Sequence, residues 1–518
     1  MAKPRIAIIG AGSSGLTALK QCLADDLDPI CFEQTSCVGG LWNFVEVNDE
    51  NKDPNPSTYK SLIINTSKEM MTFSDFPLPP EWPTYLHNSL VAKYFNMYAD
   101  HFKLWPYIKF RTTVVNVSYL PDHRWKVKYI TCEDKDQTED NPKNEHEEIF
   151  DYVIVCNGHH RKHRWPKYKG MDKFKGEQTH SHFYRRAAPF ENKRVVVVGV
   201  GNSGLDIAVE LSHVASQVYL CVRRGTLPWI MPRLIDGKAI DQLRSRFSDT
   251  FLPKSSTSVI TKRIVQIVGP HPPSLQPTTP LFTHHPTVKS DFFERLSTGT
   301  IIVTKNILEL MSDETKSIKF VDGSIVENID AVIYATGYHI DFPFLDREII
   351  NGGPEIEQEF EDEYKENLTW MYKMIFPPNY RNIAFIGLFQ PIGAIFPITE
   401  LQSRYVTSLI KGLINPLPSP QDMNIAIRNY HKKNRNQYYL SARHTMELDY
   451  YEYLDKISQE LGCYPYSLEI LKKFGFNMWK LVMFGVRTPI QYRLIGRQSW
   501  EGAKDAIMAY NKINPIQH

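Results

Sequence analysis

Two glycine-rich turns constrain the fold of this 518-residue chain more than any other feature. GAGSSG at residues 10–15 follows the apolar run RIAII, and GVGNSG at residues 199–204 follows RVVVV. Apolar residues then recur at helical spacing, and another apolar run comes next. A strand, a glycine turn and a helix that leads to a further strand begin a βαβ unit. The sequence therefore predicts an α/β protein with two Rossmann-like dinucleotide-binding domains.

The first turn has the chemistry of a nucleotide site. Its glycines permit a tight turn and let the backbone approach a pyrophosphate, which the free N–H groups of the helix N-terminus can bind. Glu33 ends the following strand, where a carboxylate can accept hydrogen bonds from ribose hydroxyls. The alternative is a glycine turn that only packs a helix on a strand.

The second turn has the opposite charge at the equivalent place. Its following strand ends in Arg223 and Arg224 instead of an acid. Guanidinium groups bind a 2′-phosphate that a carboxylate would repel, so we expect NADPH here. The alternative is that both arginines only end a strand at the surface. Because nicotinamide delivers hydride, the simplest partner at the first turn is FAD.

Composition and charge exclude several other classes. The chain has 60 basic and 58 acidic side chains, a balance that gives no footprint for nucleic acid. Its seven cysteines form no CxxC pair, so we predict neither a disulfide framework nor a metal site. No apolar run approaches the roughly 18 to 20 residues that cross a bilayer. We therefore expect no transmembrane segment in this chain.

The order of the patterns predicts a discontinuous first domain. We assign residues 1–168 and 332–518 to the FAD-binding domain and residues 169–331 to the NADPH-binding domain inserted within it. A proline-rich, polar stretch at about residues 232–299 is predicted to be a further insertion. After Pro416 the chain is predicted to be mostly helical.

The stretch FKGEQTHSHFY at residues 174–184 lies directly before the second strand and turn. It resembles the FxGxxxHxxxY/F fingerprint of the class B flavoprotein monooxygenases. The final tyrosine is similar to the flavin-containing monooxygenase branch, whereas Baeyer-Villiger enzymes usually have tryptophan there. VGGLWNF, INTSKEMM, YATGY and ELQSRY agree, and the resemblance is closest to the animal microsomal type.

This resemblance implies an activity and its residues. NADPH would reduce FAD, O₂ would add to form a flavin hydroperoxide, and an amine nitrogen or sulfide sulfur would take the distal oxygen. Asn65 would be catalytic, because a neutral amide can donate hydrogen bonds without acting as a strong acid. An asparagine that only caps a loop is the alternative. We do not predict proton transfer by His180, for which packing in the linker between the domains is the alternative.

The cofactor-binding residues predicted in this way fall into two groups. For FAD they are Gly10, Ala11, Gly12, Ser13, Ser14, Gly15, Glu33, Leu41, Trp42, Asn65 and Thr66. For NADPH they are Gly199, Gly201, Asn202, Ser203, Gly204, Leu205, Asp206, Arg223 and Arg224. A first-turn acid favoured by the helix dipole is an alternative for Asp206.

Other functions and locations stay open at this point. A Baeyer-Villiger monooxygenase acting on ketones would use the same machinery, and a flavin-binding protein without activity is a further alternative. The membrane-seeking tail of vertebrate members is missing, so we expect a cytoplasmic protein, with peripheral binding to the endoplasmic reticulum membrane through SLEILKKFGFNMWKLVMFG as an alternative. Core packing of that segment and a homodimer are also open.

Overall fold

The structure of the protein is a computed structural model. It describes residues 3–48, 56–132, 144–223, 225–251, 265–266, 271–312, 314–360, 363–438 and 441–513. The predicted insertion at 232–299 is therefore described in part. Within the described ranges, every helix is too short or too polar to cross a lipid bilayer.

The first nucleotide turn belongs to a parallel sheet of five strands. Their order is Ile383–Phe385, Tyr152–Val155, Arg5–Ile9, Asp28–Phe32 and Ile108–Lys109. Helix Ser13–Ala24 follows the turn and packs against helix Phe396–Ile410. Because the central strand is buried on both faces, its apolar run is continuous, as expected for a parallel sheet.

The second turn belongs to a separate parallel sheet of five strands. Their order is Ile301–Thr304, Gln217–Cys221, Arg194–Val198, Ala331–Tyr334 and Glu177–His180. Helix Asn202–Leu211 follows the turn. Strand Ala331–Tyr334 extends this sheet three residues past the predicted boundary at residue 331, because it pairs with Arg194–Val198. The division into domains is otherwise still a prediction.

Antiparallel strands and helices fill the remaining layers. Thr112–Tyr119, Trp125–Thr131 and Asn144–Phe150 form one antiparallel sheet, and Ile307–Leu310, Ile318–Phe320 and Ile325–Val326 form another. Two-residue strands lie at Lys162–His163, Ile230–Met231, Leu234–Ile235, Lys238–Ala239, Thr287–Val288, Tyr338–His339, Gln390–Pro391 and Glu447–Leu448. The shorter or earlier helices are Lys68–Met71, Asn88–His101, Arg246–Phe251, Phe292–Ser297, Arg347–Asn351 and Pro354–Glu357.

The C-terminal part is mostly helical, as predicted. Its helices are Pro420–Gln437, Tyr450–Glu460, Ser467–Phe484 and Ala503–Ile513. Ser419 begins the first of them, where its side chain accepts a hydrogen bond from the Asp422 N–H, and Asp449 caps the second in the same way at Glu452. Helix Ser467–Phe484 is interrupted at Gly475, whose φ of 79° is not helical.

A buried ionic cluster joins the C-terminal part to the first sheet domain. Arg493 lies 2.9 Å from the Asp75 carboxylate, donates to Ser74 Oγ at 2.7 Å and also pairs with Glu400. Lys20 reaches Asp75 at 2.5 Å. Burial would raise the pKa of Asp75, but Arg493 and Lys20 outweigh it and lower that pKa to about 2.

We expect Arg493→Met to destabilise the protein by about 3–5 kcal/mol, because it leaves buried carboxylates without their cation. Chemical denaturation followed by circular dichroism would measure the free energy of unfolding. Arg124→Met is the matched control, since Arg124 pairs with Asp122 at the exposed surface, and we expect it to change nothing measurable. Equal midpoints for the two variants would show that the buried cluster contributes no net stability.

Candidate functional site: two nucleotide turns and the residues around them

The first glycine turn contains glycines that serve different purposes. A Cβ at Gly15 would lie 1.8 Å from the Gly10 carbonyl oxygen, so the helix and strand can approach only with glycine there. Gly10 has φ +99°. Gly12, in contrast, has φ −75°, and its added Cβ would lie 3.7 Å from Gly40 Cα, an ordinary contact. The protein alone does not require glycine at residue 12, whereas a pyrophosphate approaching the backbone does.

Glu33 holds the shape of this turn. One carboxylate oxygen accepts the Ala11 N–H at 2.7 Å, and the other accepts the N–H and the hydroxyl of Thr35, both at 2.8 Å. A carboxylate has about four acceptor positions, so one remains for a ribose hydroxyl. Glu33 therefore orients the turn backbone, and its contact with a ribose stays a prediction.

The other residues predicted for FAD flank the same turn. Ser13 and Ser14 begin the helix, and Ala11 is fully buried beside them. Leu41 is 38% exposed, and Trp42 packs edge-on against Phe396 with ring centroids 6.2 Å apart. Trp42 is thus partly a core residue. Thr66 is buried next to Asn65.

The second turn repeats the geometry of the first. A Cβ at Gly204 would lie 2.1 Å from the Gly199 carbonyl oxygen, and Gly199 has φ +107°. Gly201 has φ −79°, and the nearest atom to its added Cβ is Nη1 of Arg443, at 3.3 Å. That atom is the far end of a flexible side chain, which could move away from a methyl group. The fold alone therefore does not require glycine at residue 201, whereas a bound pyrophosphate would.

The residues predicted around the second turn separate into groups. Ser203 is exposed at the helix start, whereas the Leu205 side chain lies fully in the core, so only its backbone could face a ligand. Asn202 accepts the Val288 N–H at 3.1 Å. Asp206 accepts the Tyr59 hydroxyl at 2.5 Å and pairs with Lys289 at 3.1 Å. Asp206 therefore ties segments together, and its contact with NADPH stays a prediction.

Arg223 follows the strand after the second turn, and its contact with a 2′-phosphate stays a prediction. It comes two residues after strand Gln217–Cys221, and its side chain is 56% exposed and 3.7 Å from Glu363. An exposed pair of this length is weak, so the guanidinium is available to an anion. Arg224 lies outside the described residues, so its role stays a prediction.

Asn65 is held by a residue of the predicted insertion. Nη2 of Arg233 donates to the Asn65 Oδ1 at 2.9 Å, and the Arg233 guanidinium lies over the Tyr85 ring. Two residues on, the Ser67 N–H donates to Asp241 at 2.7 Å. Burial raises the pKa of Asp241 to about 6. The loop that contains Asn65 is therefore hydrogen-bonded to the predicted second domain at two residues, Arg233 and Asp241.

His180 is fully buried, which agrees with the alternative of a packed linker residue. Its Nδ1 accepts the His182 N–H at 3.0 Å, which an imidazolium could not do. Burial, and then the neighbouring His163 and His182, lower the pKa of His180 to about 3. At neutral pH this side chain is therefore an uncharged imidazole.

Comparison with known proteins identifies the family. The family model described as flavin-binding monooxygenase-like matches residues 3–516. The chain belongs to this family. It is 42% identical to flavin-containing monooxygenase 5 of Oryctolagus cuniculus, over 98% of this chain and 92% of that protein. It is 39% identical to dimethylaniline monooxygenase [N-oxide-forming] 2 of Pan troglodytes, over 100% and 94%.

A solved structure supports the fold independently. S-allyl-L-cysteine S-oxygenase from Allium sativum matches with a TM-score of 0.65 at 23% identity, over 99% of this chain and 98% of that one. The predicted fold class, the resemblance to animal flavin-containing monooxygenases and the enzyme class are confirmed. FAD and NADPH are the cofactors of this flavin monooxygenase, as predicted. Among the described residues, no group of three or more histidine, cysteine or acidic side chains could hold a metal.

Sequence reasoning missed Arg233, Asp241 and Arg443. None of them belongs to a motif, and each lies near a predicted site residue or its neighbour although it is far away along the chain. Arg233 comes two residues after the apolar stretch LPWIM, and its isolated positive charge was the only sequence signal for a role. Arg443 lies in SARHTMEL, which has no pattern of its own.

The two kinds of glycine can be separated by experiment. We expect Gly12→Ala to fold with an unchanged thermal midpoint yet to bind FAD roughly 10–100-fold more weakly, because the methyl group would meet the pyrophosphate. Gly15→Ala, the matched control, should lower the thermal midpoint even of the apoprotein. Flavin absorbance after gel filtration and circular dichroism would measure both quantities. A Gly12→Ala protein with a full complement of FAD would contradict the assignment.

Proposed function

We propose that this flavin monooxygenase uses NADPH and O₂ to oxygenate soft nucleophiles, namely amine nitrogen and sulfide sulfur. The two nucleotide turns of opposite charge preference and the N-oxide-forming relative support this proposal. When bound, FAD supplies the electron-transfer and oxygen chemistry. The protein groups bind the two nucleotides, orient them and supply hydrogen bonds beside the flavin.

The orientation of the Asn65 amide is the observation that carries the proposal. A guanidinium has donors only, so the end of the amide that meets Arg233 at 2.9 Å must be the carbonyl oxygen. The Asn65 Nδ2 group therefore points elsewhere, and among the described residues it has no hydrogen-bond partner. We infer that this NH₂ group is the fixed donor that faces the activated oxygen.

A neutral donor fits oxygenation better than an acid would. A residue that transferred a proton at this place would favour release of hydrogen peroxide when FAD is bound, and no oxygen would remain for the substrate. An amide supplies a hydrogen bond without transferring a proton. Asp241, the nearby carboxyl, already accepts the Ser67 N–H and is ionised above its pKa of about 6.

We expect Asn65→Ala to retain FAD and NADPH oxidation but to lose sulfide and amine oxygenation by about 10²–10³-fold, the usual effect of removing one such donor. The released oxygen should appear as hydrogen peroxide. Sulfoxide and peroxide yields per NADPH would measure this partition. Asn96→Ala is the matched control, because Asn96 only donates to the Ala92 carbonyl on an exposed helix. Unchanged sulfoxide yield in Asn65→Ala would remove Asn65 from the mechanism.

A Baeyer-Villiger activity on ketones is the competing function. Its distinguishing sequence feature is a tryptophan at the end of the fingerprint, whereas this chain has Tyr184, which is buried beside Tyr59 and Phe190. Product analysis with a cyclic ketone and a dialkyl sulfide, offered at equal concentration, separates the two functions. Lactone as the main product would replace the proposed function with the competing one.

We propose further that the helix Ser467–Phe484 binds a membrane surface peripherally. Leu468 is 71% exposed and Phe476 is 63% exposed. Lys472 and Lys473 are exposed between them. Exposed apolar side chains next to lysines are typical of an interfacial helix on anionic lipid. Homodimer formation stays a prediction.

This membrane contact can be tested by sedimentation with vesicles. We expect the FAD-loaded protein to bind vesicles that contain anionic lipid, and the double variant Leu468→Asp, Phe476→Asp to lose most of that binding while oxygenation of a soluble sulfide is unchanged. Leu413→Asp is the control, since Leu413 is 53% exposed outside this helix. Equal binding by both variants would contradict the proposed surface.

A further inference from the structure

Arg443 lies directly over the second glycine turn. Its Nη1 is the nearest atom to the space beside Gly201, at 3.3 Å from the position of an added Cβ, and Cζ and Nη2 follow at 3.8 Å. Gly201 is the glycine whose missing side chain lets a pyrophosphate approach the backbone. The guanidinium therefore borders the space that this pyrophosphate would occupy.

The guanidinium of Arg443 has no protein partner of its own. Among the described residues, it makes no hydrogen bond or ion pair, and only the backbone N–H of Arg443 is engaged, with Ser441 Oγ at 3.3 Å. Burial lowers the pKa of Arg443 and the Glu447 carboxylate raises it, but the protein neighbour within ion-pair distance of Glu447 is His285, at 3.6 Å. An unpaired arginine beside an anion site is poised to bind that anion.

Protein atoms surround Arg443 closely enough to disfavour its charged form. The side chains of Arg443 and His160 are solvent-accessible. Desolvation nevertheless lowers the pKa of Arg443. Desolvation, the neighbouring His159 and then Arg443 lower the pKa of His160 to about 3. Where protein surrounds a charged side chain the effective dielectric constant is lower than in bulk water, so a phosphate–guanidinium pair is stronger there than on an open surface.

The backbone that carries Arg443 is anchored to the first sheet domain. Strand Glu447–Leu448 pairs in parallel with Gln390–Pro391, shortly after strand Ile383–Phe385 of the first sheet. Gly201 and the helix N-terminus belong to the second sheet domain. A pyrophosphate between them would be held by backbone N–H groups of one domain and by an arginine of the other.

We propose that Arg443 binds the pyrophosphate of the nicotinamide nucleotide and thereby links the two sheet domains through the cofactor. Arg443 would then bind the pyrophosphate of NADPH, and Arg223 would bind its 2′-phosphate. The inference rests on the proposed function only through its use of NADPH at the second turn, and it does not depend on which substrate is oxygenated.

The test measures nucleotide binding by the FAD-loaded protein with calorimetry, using NADP⁺ and NAD⁺, which differ only in the 2′-phosphate. We expect Arg443→Gln to weaken both nucleotides by the same factor, about 10–100-fold, which is the usual effect of losing a hydrogen bond to a charged group. Arg443→Lys should recover part of the affinity, because the charge remains without the bidentate geometry. Arg223→Ala, the comparison variant, should weaken NADP⁺ far more than NAD⁺.

Each result decides the matter in one direction. Unchanged affinities in Arg443→Gln overturn the inference. So does a loss accompanied by a lower FAD content or thermal midpoint, because Arg443 would then be structural. A loss confined to NADP⁺ also overturns it, since the arginine would bind the 2′-phosphate. Failure of the proposed function is separate: it appears as wild-type protein that binds NADP⁺ normally but forms neither N-oxide nor sulfoxide.

Discussion

The close contact between a helix and the strand before it governs both nucleotide sites. In each turn the last glycine lies so near the carbonyl of the first that no side chain fits, with distances of 1.8 Å and 2.1 Å for an added Cβ. This contact directs the N-terminus of each helix to the end of its parallel sheet, where its free N–H groups form an anion site. The middle glycine of each turn is free of such contacts and leaves space for a phosphate.

The two sheet domains meet through polar groups near the predicted site residues. Arg233 holds Asn65, Asp241 accepts the Ser67 N–H, Tyr59 donates to Asp206, and Arg443 lies over Gly201. Buried polar groups need partners, so the three hydrogen bonds among these contacts favour one relative placement of the two domains. The proposed donor and the proposed pyrophosphate ligand are therefore positioned by the same interface that joins the domains.

Much of the fold could be predicted because its signals are local. The strands beside both turns, the helices after them and the helical C-terminal part follow from apolar periodicity and turn residues. Strand Ala331–Tyr334 was divided by the predicted boundary, because a strand's sheet is chosen by its pairing partner and its own residues, AVIY, suit either sheet. Leu205 has the motif position of a ligand residue, but its side chain packs in the core.

The sequence by itself determined the two glycine turns, the acid after one and the arginine after the other. These signals also indicated the cofactors and the family. Each of them could be read from the sequence because it spans only a few neighbouring residues. Only the tertiary structure decided that Arg233 orients the Asn65 amide, that Glu33 holds the Ala11 N–H and that Arg443 covers Gly201. Such contacts join residues distant in the chain, and their geometry arises from how the domains pack, which no local spacing encodes.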